Sequence, residues 1–140
     1  MANYCYNSVR FADGTDEERK VLFGTLADYD EDRSGDLLNL FDEMPKELEI
    51  HSELSRQWAE EHWGTDLTRD ICFEKEVLHF KSRYAPPVPA LINLSRQYPH
   101  ILIIHIFVRE GYWDEFLLAY RAGKILANSC ISNDIFETLN

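Results

Sequence analysis

Polar and apolar positions along this 140-residue chain change period several times, and each change marks an element. Tyr4 to Phe11 alternates, the two-residue period of a half-buried strand, and Asp13-Gly14 supplies a turn after it. Thr15 with Glu18 three residues on is a capping box, where each side chain satisfies an otherwise orphan amide. Val21, Leu22, Leu26 and Tyr29 share roughly one face, which predicts a first helix ending near Tyr29. An acidic loop from Asp30 to Asp36 follows, and residues 37–50 read as a semi-regular connection. A second helix is predicted from Ser52, as N-cap, to Trp63, with Gly64 closing it. Leu67 to Glu74 and Val77 to Tyr84 are strand-like, joined tightly around Glu74-Lys75-Glu76. Pro87 or Pro89 starts a third helix carrying Leu91, Leu94 and Tyr98, and Pro99 ends it. His100 to Arg109 and Trp113 to Arg121 form a predicted hairpin around Glu110-Gly111, and Lys124 to Ile131 adds an edge strand after the Ala122-Gly123 turn.

This order predicts an α+β fold: a ferredoxin-like split β-α-β sheet with a helical insertion and additional C-terminal antiparallel strands. The chain reads as a single domain over residues 1–140, with an acidic insertion over residues 28–50 and a helix over residues 52–63. In His100 to Arg109 both alternating sets are apolar, with Ile101, Ile103 and Phe107 on one side and Leu102, Ile104, Ile106 and Val108 on the other. A strand of this kind is expected to be covered on both faces. Helices cover one face; the insertion helix, the C-terminal segment or a second subunit covers the other, so a homodimer is compatible with the pattern.

Several short motifs recur in a telling order. Asn3-Tyr4-Cys5-Tyr6-Asn7 is followed by Met44-Pro45-Lys46-Glu47-Leu48, then by Trp58-Ala59-Glu60-Glu61-His62-Trp63-Gly64-Thr65. Tyr84-Ala85-Pro86-Pro87-Val88-Pro89, Gln97-Tyr98-Pro99 and Glu110-Gly111 come next. Together they resemble the YubB-like family, small plasmid- and phage-borne proteins with a ferredoxin-like domain. The resemblance covers most of the chain and implies a fold and a mobile-element setting, with no assigned activity. The chain departs from the family after Thr65, where Asp66 and Leu67 stand in place of the expected lysine and tryptophan. A ligand corner built from Trp58, Trp63 and Thr65 is thereby altered, and the acidic loop is particular to this chain.

Charge changes the picture more than composition does. A hydrophobic share of 45% is enough for an ordinary core, whereas the net charge of −11 repels phosphate backbones and favours a basic partner surface. The carboxylates cluster from Asp13 to Glu49, opposed only by Arg19, Lys20, Arg33 and Lys46. They read either as a solvated helix face with a loop or as a partner-binding surface centred on Asp28, Asp30, Glu31, Asp32, Asp36, Asp42 and Glu43. The first residues lack the basic and apolar regions of a signal peptide. Cys5, Cys72 and Cys130, odd in number and scattered, read as reduced thiols, so a cytoplasmic protein is expected.

The sharpest chemical motif lies in the acidic loop. Counted from Asp30, the residues Asp30, Asp32, Ser34 and Gly35, followed by Asp36, match the start of a calcium loop. Position 12 is Phe41 where the bidentate Glu belongs, so a plain acidic turn competes with a weak calcium site. His62 is expected to stack on Trp58, and His79 and His105 to lie on strands that a third strand separates. Tyr4, Tyr6, Phe80 and Tyr84 could serve an RNA-binding sheet, but the net charge favours packing roles for them. No catalytic motif or cofactor loop is present. The leading reading is a non-enzymatic phage or plasmid accessory protein that binds a basic host protein, such as a nucleic-acid-binding defence complex, through its acidic face. The alternative is a small-ligand or calcium-binding domain.

Overall fold

In the computed structural model, which describes residues 3–111 and 114–130, six strands form one antiparallel sheet in the order β2-β3-β1-β4-β5-β6. The strands are β1 (Tyr4–Asp13), β2 (Thr68–Glu74), β3 (Val77–Arg83), β4 (Ile101–Arg109), β5 (Glu115–Arg121) and β6 (Lys124–Cys130). The helices are α1 (Asp16–Asp32), α2 (Ser52–His62) and α3 (Val88–Gln97), with 3₁₀ turns at Leu37–Leu40 and Lys46–Leu48. Strands β1 to β4 with α1 and α3 are the ferredoxin-like split β-α-β unit; α2 is inserted before β2, and β5 and β6 widen the sheet beyond β4.

Register explains where the core sits. Alternate residues of β1, namely Cys5, Asn7, Val9 and Phe11, are buried and stand opposite Arg109, Phe107, His105 and Ile103 of β4. Leu78 and Phe80 of β3 and Leu118 and Tyr120 of β5 continue this face. Leu22, Leu26 and Tyr29 of α1 and Ala90, Leu91 and Leu94 of α3 close over it, and Leu37, Leu38, Phe41 and Trp63 fill the space between. Each such side chain contributes about 1.5–3 kcal/mol by leaving water, which makes this layer the main source of stability.

Several boundaries differ from the sequence reading, four of them with consequences. Helix α1 does not stop near Tyr29; it runs to Asp32, because Arg33 takes the left-handed conformation (φ 54°) and donates its amide to the Tyr29 carbonyl at 2.7 Å. Asp30, Glu31 and Asp32 are therefore helical. His51, not Ser52, is the N-cap of α2, and it makes no side-chain capping bond. Strand β3 ends at Arg83, with Tyr84 turned out at φ 67°. Strand β5 starts at Glu115; Trp113, the expected start, lies outside the described residues, as does Ile131.

The second face of β4 is not covered by the insertion helix. Helix α2 packs on α3 and brings Ala59 into the main core, so it joins the other helices on one side. Leu102, Ile104, Ile106 and Val108 are half-buried, in contrast to fully buried Ile101 and Ile103. The expected cover by the C-terminal segment falls on residues 131–140, outside the described ones. No helix among the described residues is long and apolar enough to cross a membrane.

Candidate functional site

The acidic insertion is pinned between Tyr29 and Asp42. Asp36 caps the first 3₁₀ turn through Leu38 N (3.0 Å), and the same carboxylate accepts from Thr68 N (3.0 Å) and Thr68 Oγ1 (2.8 Å), fastening the segment to β2. The Phe41 carbonyl accepts from Gln97 Nε2 (2.7 Å) and from Asn93 Nδ2, both on α3. Trp63 Nε1 donates to the Asp42 carbonyl at 2.7 Å, and Tyr29 Oη donates to the Gly35 carbonyl at 2.7 Å. Buried Leu37, Leu38 and Phe41 sit beneath these bonds.

This geometry sorts the seven partner-binding candidates. Asp30 is half-buried and holds Arg33 Nη2 (3.0 Å) and Phe73 N (3.3 Å). Asp36 is occupied as described. Asp30 and Asp36 are thus engaged within the fold. Asp28, Glu31, Asp32 and Glu43 are exposed and Asp42 half-exposed, and none has a basic side chain within ion-pair distance among the described residues. The calcium-like spacing is broken by the same facts. Asp30 and Asp32 lie in the last turn of α1 and the oxygens of Asp36 face protein amides, while Ser34 stays exposed. Among the described residues no three His, Cys, Asp or Glu side chains stand where they could hold one metal ion.

The tryptophan corner is built inward. Trp63 is 2% exposed, and Thr65 Oγ1 donates to the Arg83 carbonyl at 2.7 Å. Trp58, half-buried, stacks on His62 (centroids 4.3 Å apart, 12° between planes) and meets Trp63 edge-on at 5.5 Å. Gly64, at φ +89°, closes α2 so tightly that a Cβ there would lie 2.6 Å from Pro89 Cδ and 3.2 Å from the Pro86 carbonyl. The two segments Trp58–Thr65 and Tyr84–Pro89 are thus a single packed joint. Asp66 supports it through Arg83, whose guanidinium beside it holds the carboxyl below its usual range.

Inside the sheet lies a polar chain that the sequence reading missed. His105 Nδ1 is 3.0 Å from Tyr120 Oη, and His105 Nε2 is 2.8 Å from Asn7 Oδ1. Asn7 Nδ2 donates to Ser82 Oγ (2.9 Å), which donates to the Ala85 carbonyl (2.7 Å). Because the Asn7 oxygen only accepts, His105 carries its proton on Nε2, and Nδ1 accepts from Tyr120. Burial holds His105 neutral, lowering its pKa to about 3, and pushes the Tyr120 hydroxyl up. His105 is a satisfied core histidine. His79, separated from it by β1, is exposed.

Two clefts open at the strand ends near Arg109, the last residue of β4. One, of about 200 Å³, is lined by Asn3, Tyr4, Tyr84, Arg109 and Glu110. The other, of about 150 Å³, is lined by Pro86, Phe107, Arg109 and Phe116. Of the four aromatic residues weighed for RNA binding, Phe80 is core, Tyr84 is exposed beyond β3, and Tyr4 and Tyr6 rise from the sheet face opposite the described helices. Comparison of the chain with family models, with curated proteins and with solved structures finds no match.

Proposed function

We propose that this protein is a non-enzymatic accessory protein of a mobile element that binds a basic host protein through its acidic face. In this reading the contact surface is narrower than the charge count suggests: Asp28, Glu31 and Asp32 on α1, with Asp42 and Glu43 on the pinned connection. The observation that carries it is the placement of Asp28, Glu31 and Asp32. They occupy the C-terminal turns of α1, whose last turn holds no basic residue, and the helix dipole disfavours negative charge there. Charges kept where the local field opposes them point to a use outside folding, because stabilising changes at such positions are easily found. A pinned backbone adds to this, since pre-ordered groups lose less entropy on binding.

The partner that suits such a surface is a groove lined with Lys and Arg, of the kind that receives a phosphate backbone. A nucleic-acid-binding defence protein of the host fits this description, and the resemblance to plasmid- and phage-borne proteins supports the setting. The test is affinity capture from host lysate at low and moderate salt, with Asp28→Asn/Glu31→Gln/Asp32→Asn in parallel. The native protein retains a basic nucleic-acid-binding protein in a salt-sensitive manner, and the triple variant retains roughly tenfold less of it. Equal retention by the variant overturns the reading.

A further inference from the structure

Helix α2 is held at one end. Ala59 is its buried residue and half-buried Trp58 packs against the core beside it, whereas from Ser52 to Gln57 no residue is buried. A helix of 11 residues is marginal in water by itself, so this first half depends on what flanks it. Neither of the usual devices for a helix entry is present there. His51 makes no side-chain capping bond, and the fourth helical residue, against which an apolar Ile50 would pack as a staple, is Ser55. Ile50 is 83% exposed, the most open large apolar side chain among the described residues, and Leu54 is 48% exposed. Leu54 lies one turn before Trp58 on the same helix face, so that face continues apolar past the edge of the core.

We infer that this uncapped end of α2 is a docking surface for an amphipathic helix of a partner protein whose apolar seam is flanked by Lys and Arg. Leu54 and Trp58 are anchors at the spacing by which helices pack, and an apolar side chain of the partner against Ile50 takes the place of the missing staple. Charge selects the occupant. Glu47, Glu49 and Glu61 are exposed on this segment, and none has a basic side chain within ion-pair distance among the described residues. Arg56 is committed to Glu53 at 3.0 Å and to Glu60 at 4.0 Å. A second copy of the chain would set the same carboxylates against these and double a net charge of −11, whereas flanking Lys and Arg pair with them.

The inference rests on the reading that the partner is basic, and it adds what carboxylates do not supply. Exposed charges steer association and contribute little to holding a complex, whereas apolar anchors that leave water slow its dissociation. The carboxylates of α1 would bring the partner in, and Ile50, Leu54 and Trp58 would keep it.

The experiment follows the amides and the Ile and Leu methyls of the full chain by NMR. A helical peptide of leucine and lysine, its leucines on one face, is compared with the same peptide carrying glutamate for lysine and with oligolysine. Saturable shifts at Ile50, Leu54 and Trp58 are expected with the leucine–lysine peptide, about tenfold tighter than with either control, together with slower amide exchange from Ser52 to Gln57. Ile50→Ser/Leu54→Ser weakens that binding about tenfold with Tm unchanged, because both side chains are exposed in the free protein. Before peptide is added, a soluble paramagnetic agent broadens both methyls. Methyls that stay sharp are already covered, by another segment of the chain or by a second copy, and overturn the inference. Equal binding of the glutamate peptide, or binding undiminished in the double variant, does the same. Shifts confined to Asp28, Glu31 and Asp32 sustain the acidic-face reading and sink this one, whereas equal lysate capture by the triple variant sinks the α1 contact and leaves α2 to this titration.

Discussion

His105 shows how one residue's surroundings set its behaviour with pH. An unfolded chain takes up a proton near the ordinary value of 6.5, whereas the folded protein resists it down to about 3. Between those values the unfolded state binds more protons. Stability from this site is complete above the unfolded value and is lost as pH falls, by up to about 1.4 kcal/mol per pH unit. His105→Gln is expected to be less stable at neutral pH, with the gap to the native protein closing toward pH 5 in urea titrations. Asp36 makes a second test: its carboxylate accepts three bonds, and Asp36→Asn turns one acceptor into a donor facing Thr68 N. That costs about 2–3 kcal/mol, read as a lower urea midpoint, whereas Glu43→Gln stays within about 0.5 kcal/mol. At this scale the sequence showed that His105 lies mid-strand and that Asn7 shares a parity with Cys5, Val9 and Phe11. It did not show that the two meet, because contact between Asn7, His105 and Tyr120 depends on a register set by the whole sheet.

Elements were more legible than residues, since periods and caps are local. The Thr15–Glu18 capping box forms with both bonds in place, and Gly64 closes α2. The end of α1 was misplaced by one turn because its stop signal is a left-handed arginine, a conformation that composition does not announce. That turn matters, since it converts half of an apparent calcium loop into helix and shows which carboxylates face the helix dipole. Removing the charges of Asp28, Glu31 and Asp32 should stabilise the fold by a few tenths of a kcal/mol for each, read as a higher Tm, while weakening partner binding. A variant that loses binding and stability together would indicate a folding role instead. Gly64→Ala has the opposite sign: a left-handed backbone and the contact with Pro89 cost roughly 1–3 kcal/mol, measurable in the same titrations.

At the scale of the whole molecule, the sheet separates two chemistries. Exposed carboxylates without basic partners stand on the helix side, whereas Arg10, Arg69 and Lys81 stand beside Tyr4 and Tyr6 on the other, with Asp70 paired to Lys81 among them. Net charge averaged over the chain hides this division, which is why composition argued for one face and against the second. The split β-α-β order was readable because strands and helices alternate with clear turns between them. The cover of β4 was not, since apolar residues on both alternations do not say how much of each is exposed.

Strand β1 lies between β3 and β4, so Val9 pairs with both Leu78 and His105. The first of the six strands to be synthesised therefore lies at the centre of the sheet, and its last neighbour is made almost a hundred residues later. Until Arg109 has emerged, one edge of β1 stays bare, with apolar Val9 and Phe11 alongside it. Nascent chains of this protein thus pass through a long aggregation-exposed interval, and their yield should depend on how quickly translation crosses β4 or on a chaperone that shields β1 meanwhile.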